Sequence, residues 1–185
     1  MNVKEAIERR RAYRSLDPVE INEDLIRELA ECARLAPSCF NYQPWRFVFV
    51  YEKSLLEELR PTLSKGNEWV YDASMIIAVF SKKEMDCIIK EREYYLFDVG
   101  MACAFLILRA TELGLVAHPI AGFHPDEVKK ILEIPEDMNL ITLIIVGKHS
   151  SKISPYLSEK QILAEKERPP RIPLEEFVFF NKFRK

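Results

Sequence analysis

The chain has 185 residues, 48% hydrophobic and 30% charged, with a net charge of −2. That length fits one domain with a sizeable core, and the near-neutral charge excludes the basic footprint of a nucleic-acid binder. The longest apolar runs, such as Met101 to Leu108, fall far short of the roughly 18 residues needed to cross a membrane.

Asn2, with Glu5 three residues on, predicts a capped first helix running to about Arg14, with Val3, Ala6 and Ile7 on its buried side. Asn22 caps a second, in which Leu25, Ile26, Leu29, Ala30 and Ala33 keep the helical period until Pro37 stops it. Arg46 to Tyr51 reads as a strand, Ser54 to Leu59 as a short helix, and the apolar run Met75 to Phe80 as a central strand. Tyr94 to Leu113 is the longest helix, apolar nearly all round through Leu96, Phe97, Met101, Ala104, Phe105 and Leu108, which predicts a buried position. Gly114 ends it, Pro119 to Phe123 reads as a loop, Pro125 to Leu132 as a helix, and Leu140 to Val146 as a second apolar strand. This order predicts an α+β, three-layer α-β-α fold, with a central mixed sheet flanked by helices. Beyond a polar, proline-containing connector from Ser150 to Pro173 comes Phe177-Val178-Phe179-Phe180. That segment either returns to its own sheet or adds to a partner's, because leaving it exposed forfeits roughly 1.5–3 kcal/mol of burial per phenylalanine.

The four cysteines, Cys32, Cys39, Cys87 and Cys103, form neither a CxxC nor a metal-type spacing, and with no signal peptide they read as reduced thiols of a cytoplasmic protein. His118, His124 and His149 are scattered, so no metal site is expected. The five glycines lie no closer than eight residues apart, which excludes both a GxGxxG turn and a P-loop. A phosphorylated cofactor would then be held by side chains, and Arg is suited to that. Arg10, Arg11 and Arg14 supply three guanidiniums in five residues; on a helix Arg10 and Arg14 share a face, and the plainer alternative is a solvated basic surface. Ala36-Pro37-Ser38-Cys39-Phe40-Asn41-Tyr42-Gln43-Pro44-Trp45 presents uncharged hydrogen-bonding side chains suited to a ring edge with alternating N–H and C=O groups, or else local turn bonds. In Pro119-Ile120-Ala121-Gly122-Phe123 backbone N–H groups could approach a ligand, or the segment is a plain turn. Arg168 and Arg171 sit among prolines in an extended stretch.

Taken in order, these four segments resemble the nitroreductase family over nearly the whole chain, from about Val3 to Phe180. The family's Arg-Arg-Ser-x-Arg is matched by Arg10, Arg11, Ala12, Tyr13 and Arg14, where Ala12 stands in place of Ser and brings no hydroxyl. Its Ala-Pro-Ser…Asn-x-Gln-Pro-Trp loop is matched by Ala36, Pro37, Ser38, Asn41, Gln43, Pro44 and Trp45. The resemblance implies FMN bound at the interface of a homodimer, with NADH or NADPH as electron donor and a small-molecule electron acceptor. Arg10, Arg11, Ala12, Arg14 and Arg171 would hold the phosphate and polar flavin edge. Pro37, Ser38, Cys39, Asn41 and Gln43 would reach the flavin of the other subunit. Pro119, Ile120, Ala121 and Gly122 would lie against the ring, with Ala121 donating to N5, and Asn67 would reach the flavin too. No side chain is assigned as a catalytic acid, base or nucleophile. One domain, 1–185, is expected, with residues 150–185 swapped onto the dimer partner. The activity implied is two-electron, ping-pong transfer from NAD(P)H to a nitro, quinone or enone acceptor. Flavin-dependent oxidation, dehalogenation or flavin fragmentation, and flavin storage without turnover, remain alternatives. The short stretch before the Tyr94 helix resembles the minimal members, with an open substrate pocket.

Overall fold

The computed structural model describes residues 1–183. At its centre is β3 (Met75–Ser81), in which every residue is buried. Successive side chains of a strand point to opposite faces, so a strand with no polar face needs cover on both. Ile76, Ala78 and Phe80 pack into one core with Leu59, Trp69, Val128 and Leu143. Met75, Ile77 and Val79 pack into a second with Leu29, Ala33, Val99, Ala102 and Leu106. Thus α2 (Glu23–Arg34) and α4 (Tyr95–Glu112) cover one face, while α3 (Lys53–Leu59) and α5 (Pro125–Ile131) cover the other. The three-layer α+β arrangement is the one expected.

The sheet runs β2 (Arg46–Val50), β3, β7 (Asn139–His149), β6 (Leu115–Ile120), and the two-residue β1 (Leu16–Asp17) pairs with the end of β7. Every pairing among the described residues is antiparallel, which corrects the mixed sheet expected from alternating strands and helices. The connectors 51–74 and 121–138 leave and re-enter the sheet at the same end. Their helices are excursions, not crossovers. A small hairpin, β4 (Ile88–Ile89) with β5 (Arg92–Glu93), lies between β3 and α4.

Other departures bear on the site. The Asn2–Glu5 capping box forms as expected, but α1 (Val3–Arg9) stops before Arg10, and of Val3, Ala6 and Ile7 only Ala6 is buried. The buried face of α4 is Val99, Ala102, Cys103, Leu106 and Ala110, while Leu96, Phe97 and Phe105 stay exposed. Gly114 (φ +78°) ends α4 in the left-handed conformation expected of it. Pro119 and Ile120 are not loop but the end of β6, an edge strand that can carry a proline with its missing N–H on the open side. The connector holds an unforeseen α6 (Glu159–Lys166), capped reciprocally by Ser158 and Gln161. Phe177 to Phe180 form no strand; the return to the chain's own sheet does not occur, and Phe180 is 86% exposed. No described helix is long and apolar enough to cross a membrane.

Candidate functional site

Where a helical continuation was expected, residues 10–15 run non-helical along α6. Four guanidiniums spaced for one helix end would repel, and α6 offers the freed backbone better partners. The buried Glu165 carboxylate accepts from the N–H of Arg14 (2.7 Å) and of Ser15 (3.2 Å). Arg168 Nη2 donates to the carbonyls of Glu8 and Arg10, the latter at 2.9 Å. Arg11 Nη2 donates to the carbonyls of Ala164 (2.7 Å) and Glu165 (3.2 Å), and its guanidinium lies over the Tyr13 ring at 4.7 Å. Arg11 therefore fastens the loop.

The result is a cavity of about 190 Å³ lined by Arg10, Arg11, Ala12, Arg14, Ala164, Arg168, Pro169 and Arg171. Burial, then the like charges of Arg168 and Arg171, lower the pKa of Arg10. Burial lowers that of Arg14 as well, with Glu165 opposing. Among the described residues none of the five arginines makes a salt bridge. Glu165 offsets only part of the burial of Arg14, Arg10 lies beside the like charges of Arg168 and Arg171, and a phosphate anion would stabilise these guanidiniums.

One aromatic joins this cavity to the Ala121–Gly122 turn. The Arg14 guanidinium lies 5.9 Å from the ring of the fully buried Trp69, whose Nε1 donates to Asn67 Oδ1 at 3.2 Å. Asn67 Nδ2 donates to the Gly122 carbonyl at 2.9 Å, and Ser64 N–H donates to the same oxygen at 3.0 Å. A Cβ at Gly122 would meet the Asn67 amide, so any larger residue there would displace Asn67 from its bond to the Gly122 carbonyl. Arg14, Asn67 and Gly122 are thus fixed in one network, with Ala121 exposed beside them. His118 stacks on Trp69 with centroids 4.8 Å apart, and burial pushes its pKa down to about 4, helped by Arg14 and Arg10 and opposed by the bond to the Tyr13 carbonyl. It is neutral at pH 7.

The Ser38–Gln43 loop stands apart, and none of it lines the arginine cavity. Phe40 (φ 47°), Asn41 (φ 60°) and Gln43 (φ 52°) all adopt the left-handed conformation, which favours glycine. Two bonds close the loop on itself: Gln43 N–H donates to Ser38 Oγ (3.0 Å), and Gln43 Nε2 donates to the Asn41 carbonyl (3.1 Å). Its anchor is α4, where the buried Asp98 accepts from Cys39 N–H at 2.7 Å. Cys39 is also disulfide-bonded to Cys87, just before β4. The reduced thiols expected at these two positions are thereby corrected. Spacing could not show the pair, because 48 residues separate the partners and only the fold brings their Cα atoms to 6.0 Å. Cys32 and Cys103 are free, and burial pushes Cys103 up to about 12.

The model of the Nitroreductase family matches residues 7–148. The chain belongs to this family. It is 26% identical over 178 residues to an NADH dehydrogenase of Thermus thermophilus, covering 80% of this chain and 86% of the relative. It is 28% identical over 170 residues to an iodotyrosine deiodinase of Haliscomenobacter hydrossis, covering 76% of each. A solved oxidoreductase containing FMN superposes with a TM-score of 0.80 at 29% identity, covering 100% of this chain and 94% of that one. Within this nitroreductase-family chain, Glu165, Asp98 and the disulfide are the site features that sequence reasoning missed. The Ser158–Gln161 box was a readable signal for the helix that carries Glu165; the other two have no local signal.

Proposed function

We propose that this nitroreductase-family chain is a flavin-dependent oxidoreductase that holds FMN across a homodimer and passes electrons from NAD(P)H to a small nitro, quinone or enone acceptor. The observation that carries the reading is the cavity of unpaired arginines, wired through Trp69 and Asn67 to the Gly122 turn. Arg10, Arg14 and Arg171 would hold the phosphate and polar edge, and Arg168 would add a fourth positive charge. Arg11 positions them through its bonds to α6. Ala121 and Gly122 present backbone at the ring, and Asn67 fixes that backbone instead of reaching outward. When bound, FMN supplies two-electron transfer between donor and acceptor. One site serving both substrates in turn gives ping-pong kinetics.

Residues 1–185 act as one domain, and the tail beyond Ser150 covers the neighbouring subunit. Support for that comes from apolar surface left open in a single chain: Val3, Ile7, Leu96, Phe97, Phe105 and Phe177 are all more than 40% exposed. The same dimer brings a partner's Ser38–Gln43 loop to each arginine cavity. A second reading, reductive dehalogenation of an aromatic acceptor, is favoured by the deiodinase relative.

The purified protein is expected to be yellow, to release FMN on denaturation and to bleach anaerobically with NADH or NADPH. Reoxidation by a panel of nitroaromatics, quinones, enones and halotyrosines then names the acceptor class. Colourless protein that takes up no FMN on reconstitution would end the reading. Removing Glu175 to Lys185 should give unstable or aggregated protein, whereas an FMN-loaded monomer from that truncation would refute the swapped tail.

A further inference from the structure

Beside the Cys39–Cys87 bond lies a group that the disulfide leaves unused. Asp86 is 8% exposed, and its Oδ1 accepts from Cys87 N–H at 2.8 Å. Its Oδ2 is buried and accepts from no N–H or hydroxyl donor among the described residues. The Asp98 carboxyl also lies against Asp86, so two acids meet at a buried point beside sulfur. Beside the finished disulfide this carboxyl has the Asp98 carboxyl for polar company rather than a cation; beside two thiolates it completes a set of ligands.

We propose that the Cys39–Cys87 pair is a redox-gated metal site: once the disulfide is reduced, both thiolates and the Asp86 carboxylate bind one Zn²⁺. Ligand atoms from Cys39, Asp86 and Cys87 already lie within 4.8 Å of one another. With Zn–S near 2.3 Å, ligand atoms of a tetrahedral site sit about 3.8 Å apart, so small side-chain rotations suffice. Cys87 adjoins the short β4–β5 hairpin, whose Ile88 and Ile89 are exposed, and that side of the site is free to adjust. The fourth position takes a water. Asp98 positions Cys39 through its backbone N–H and is not itself a ligand.

The reductant is a dithiol. Its two thiols supply two electrons and two protons, the Cys39–Cys87 S–S bond breaks to two thiols, and the dithiol closes to its own disulfide. Zn²⁺ then displaces the two cysteine protons to solvent. Oxidation by a disulfide of the same class reverses the sequence and ejects the metal. Because Cys39 belongs to the Ser38–Gln43 loop, the metal would hold that loop to the hairpin as the disulfide does.

The test titrates Co²⁺ and then Zn²⁺ into full-length protein, reduced or oxidised. Reduced protein is expected to bind one Co²⁺ per chain with a thiolate charge-transfer band and tetrahedral visible bands, which one equivalent of Zn²⁺ removes. Oxidised protein should bind none. Reduced Cys39→Ser/Cys87→Ser, which retains Cys32 and Cys103, should lose the bands. Asp86→Asn should lose the tetrahedral signature or shift it, and Asp98→Asn should weaken metal roughly 10- to 100-fold, as for groups that orient ligands. Reduced wild type with no tetrahedral signal would overturn the proposal, as would a signal that survives in the double serine variant. Flavin content, read separately by its absorbance, does not enter either outcome.

Discussion

The arginine cavity and the Ser38–Gln43 loop are both polar, both proposed to face the same ligand, and built on opposite logic. In the cavity the charges are left unmatched, and the stabilising bonds go to the backbone beneath them: Glu165 to two N–H groups, Arg11 and Arg168 to carbonyls. In the loop Ser38 and Gln43 bond to loop backbone while the Asn41 side chain is exposed, and what stands out is backbone conformation, with three left-handed residues among Phe40 to Gln43. The cavity thus stores electrostatic demand, and the loop stores shape. A substitution in the first should register as ligand affinity; one in the second should register as folding or assembly.

Glu165 offers the hardest way to break this contrast, because it supports the cavity without entering it. Glu165→Ala leaves two backbone N–H groups without their charged acceptor at a buried site, at about 1.5–3 kcal/mol for each such bond before relaxation. A loss of about 3 kcal/mol is expected, read as a lower urea midpoint at unchanged slope, together with weaker FMN binding. Weaker FMN with no change in midpoint would mean that Glu165 acts on the ligand and not on the loop.

Next come the charges themselves. A bond to a charged group contributes about 1.5–3 kcal/mol, so Arg10→Ala, Arg14→Ala and Arg171→Ala should each weaken FMN by roughly 10- to 100-fold. Arg→Lys should recover only part, since a point charge lacks the two-pronged donor. Ser38→Ala should instead lower stability by about 1 kcal/mol by removing the acceptor of the Gln43 N–H, with a much smaller effect on FMN. Titration of apo-protein by flavin fluorescence separates the two regions. Equal FMN losses in both would dissolve the distinction.

His118 sharpens the comparison from beneath the cavity. Its folded pKa, about 4, lies below the ordinary 6.5, so between those values the unfolded chain binds more protons and stability falls as pH falls. From pH 7 to pH 5 this single group should remove about 2 kcal/mol. His118→Gln, which keeps a polar partner for the Tyr13 carbonyl, should lose that much less over the same range in thermal or urea melts. Identical pH profiles would mean that the imidazole keeps its ordinary pKa in the folded chain, and a slope of opposite sign would mean that it is held charged there.

How much of this could be read from the chain alone follows the same division. Apolar period and caps gave the layers, because β3 and the Asn2, Asn22 and Gly114 caps are local signals. The identity of the arginines was legible, but their conformation was not: the partners of the backbone after Arg9 lie 150 residues or more away, on α6 and just past its end. The Cys39–Cys87 bond was invisible for the same reason. The helix α4, expected to be buried nearly all round, leaves Leu96, Phe97 and Phe105 exposed, because an apolar sequence does not say which of its positions the chain's own core covers.

The smallest expected effect tests whether the loop's shape serves a neighbour. Phe40 combines a left-handed backbone (φ 47°) with 82% exposure, so in a single chain it has strain and little burial to offset it. Asn tolerates that conformation better than a bulky aromatic. If the loop served only its own chain, Phe40→Asn should therefore stabilise the protein by a few tenths to about 1 kcal/mol and change nothing else. In the proposed swapped homodimer the exposed ring would be covered by the partner, and the variant would then bury less apolar surface at the interface. The expected result is a slightly more stable subunit that dimerises more weakly, so that dilution followed by sedimentation releases monomer and FMN at higher concentrations than for wild type. A stabilised variant with wild-type dimer affinity would show that the ring's strain serves neither partner nor cofactor, and would leave the two regions of the site unconnected.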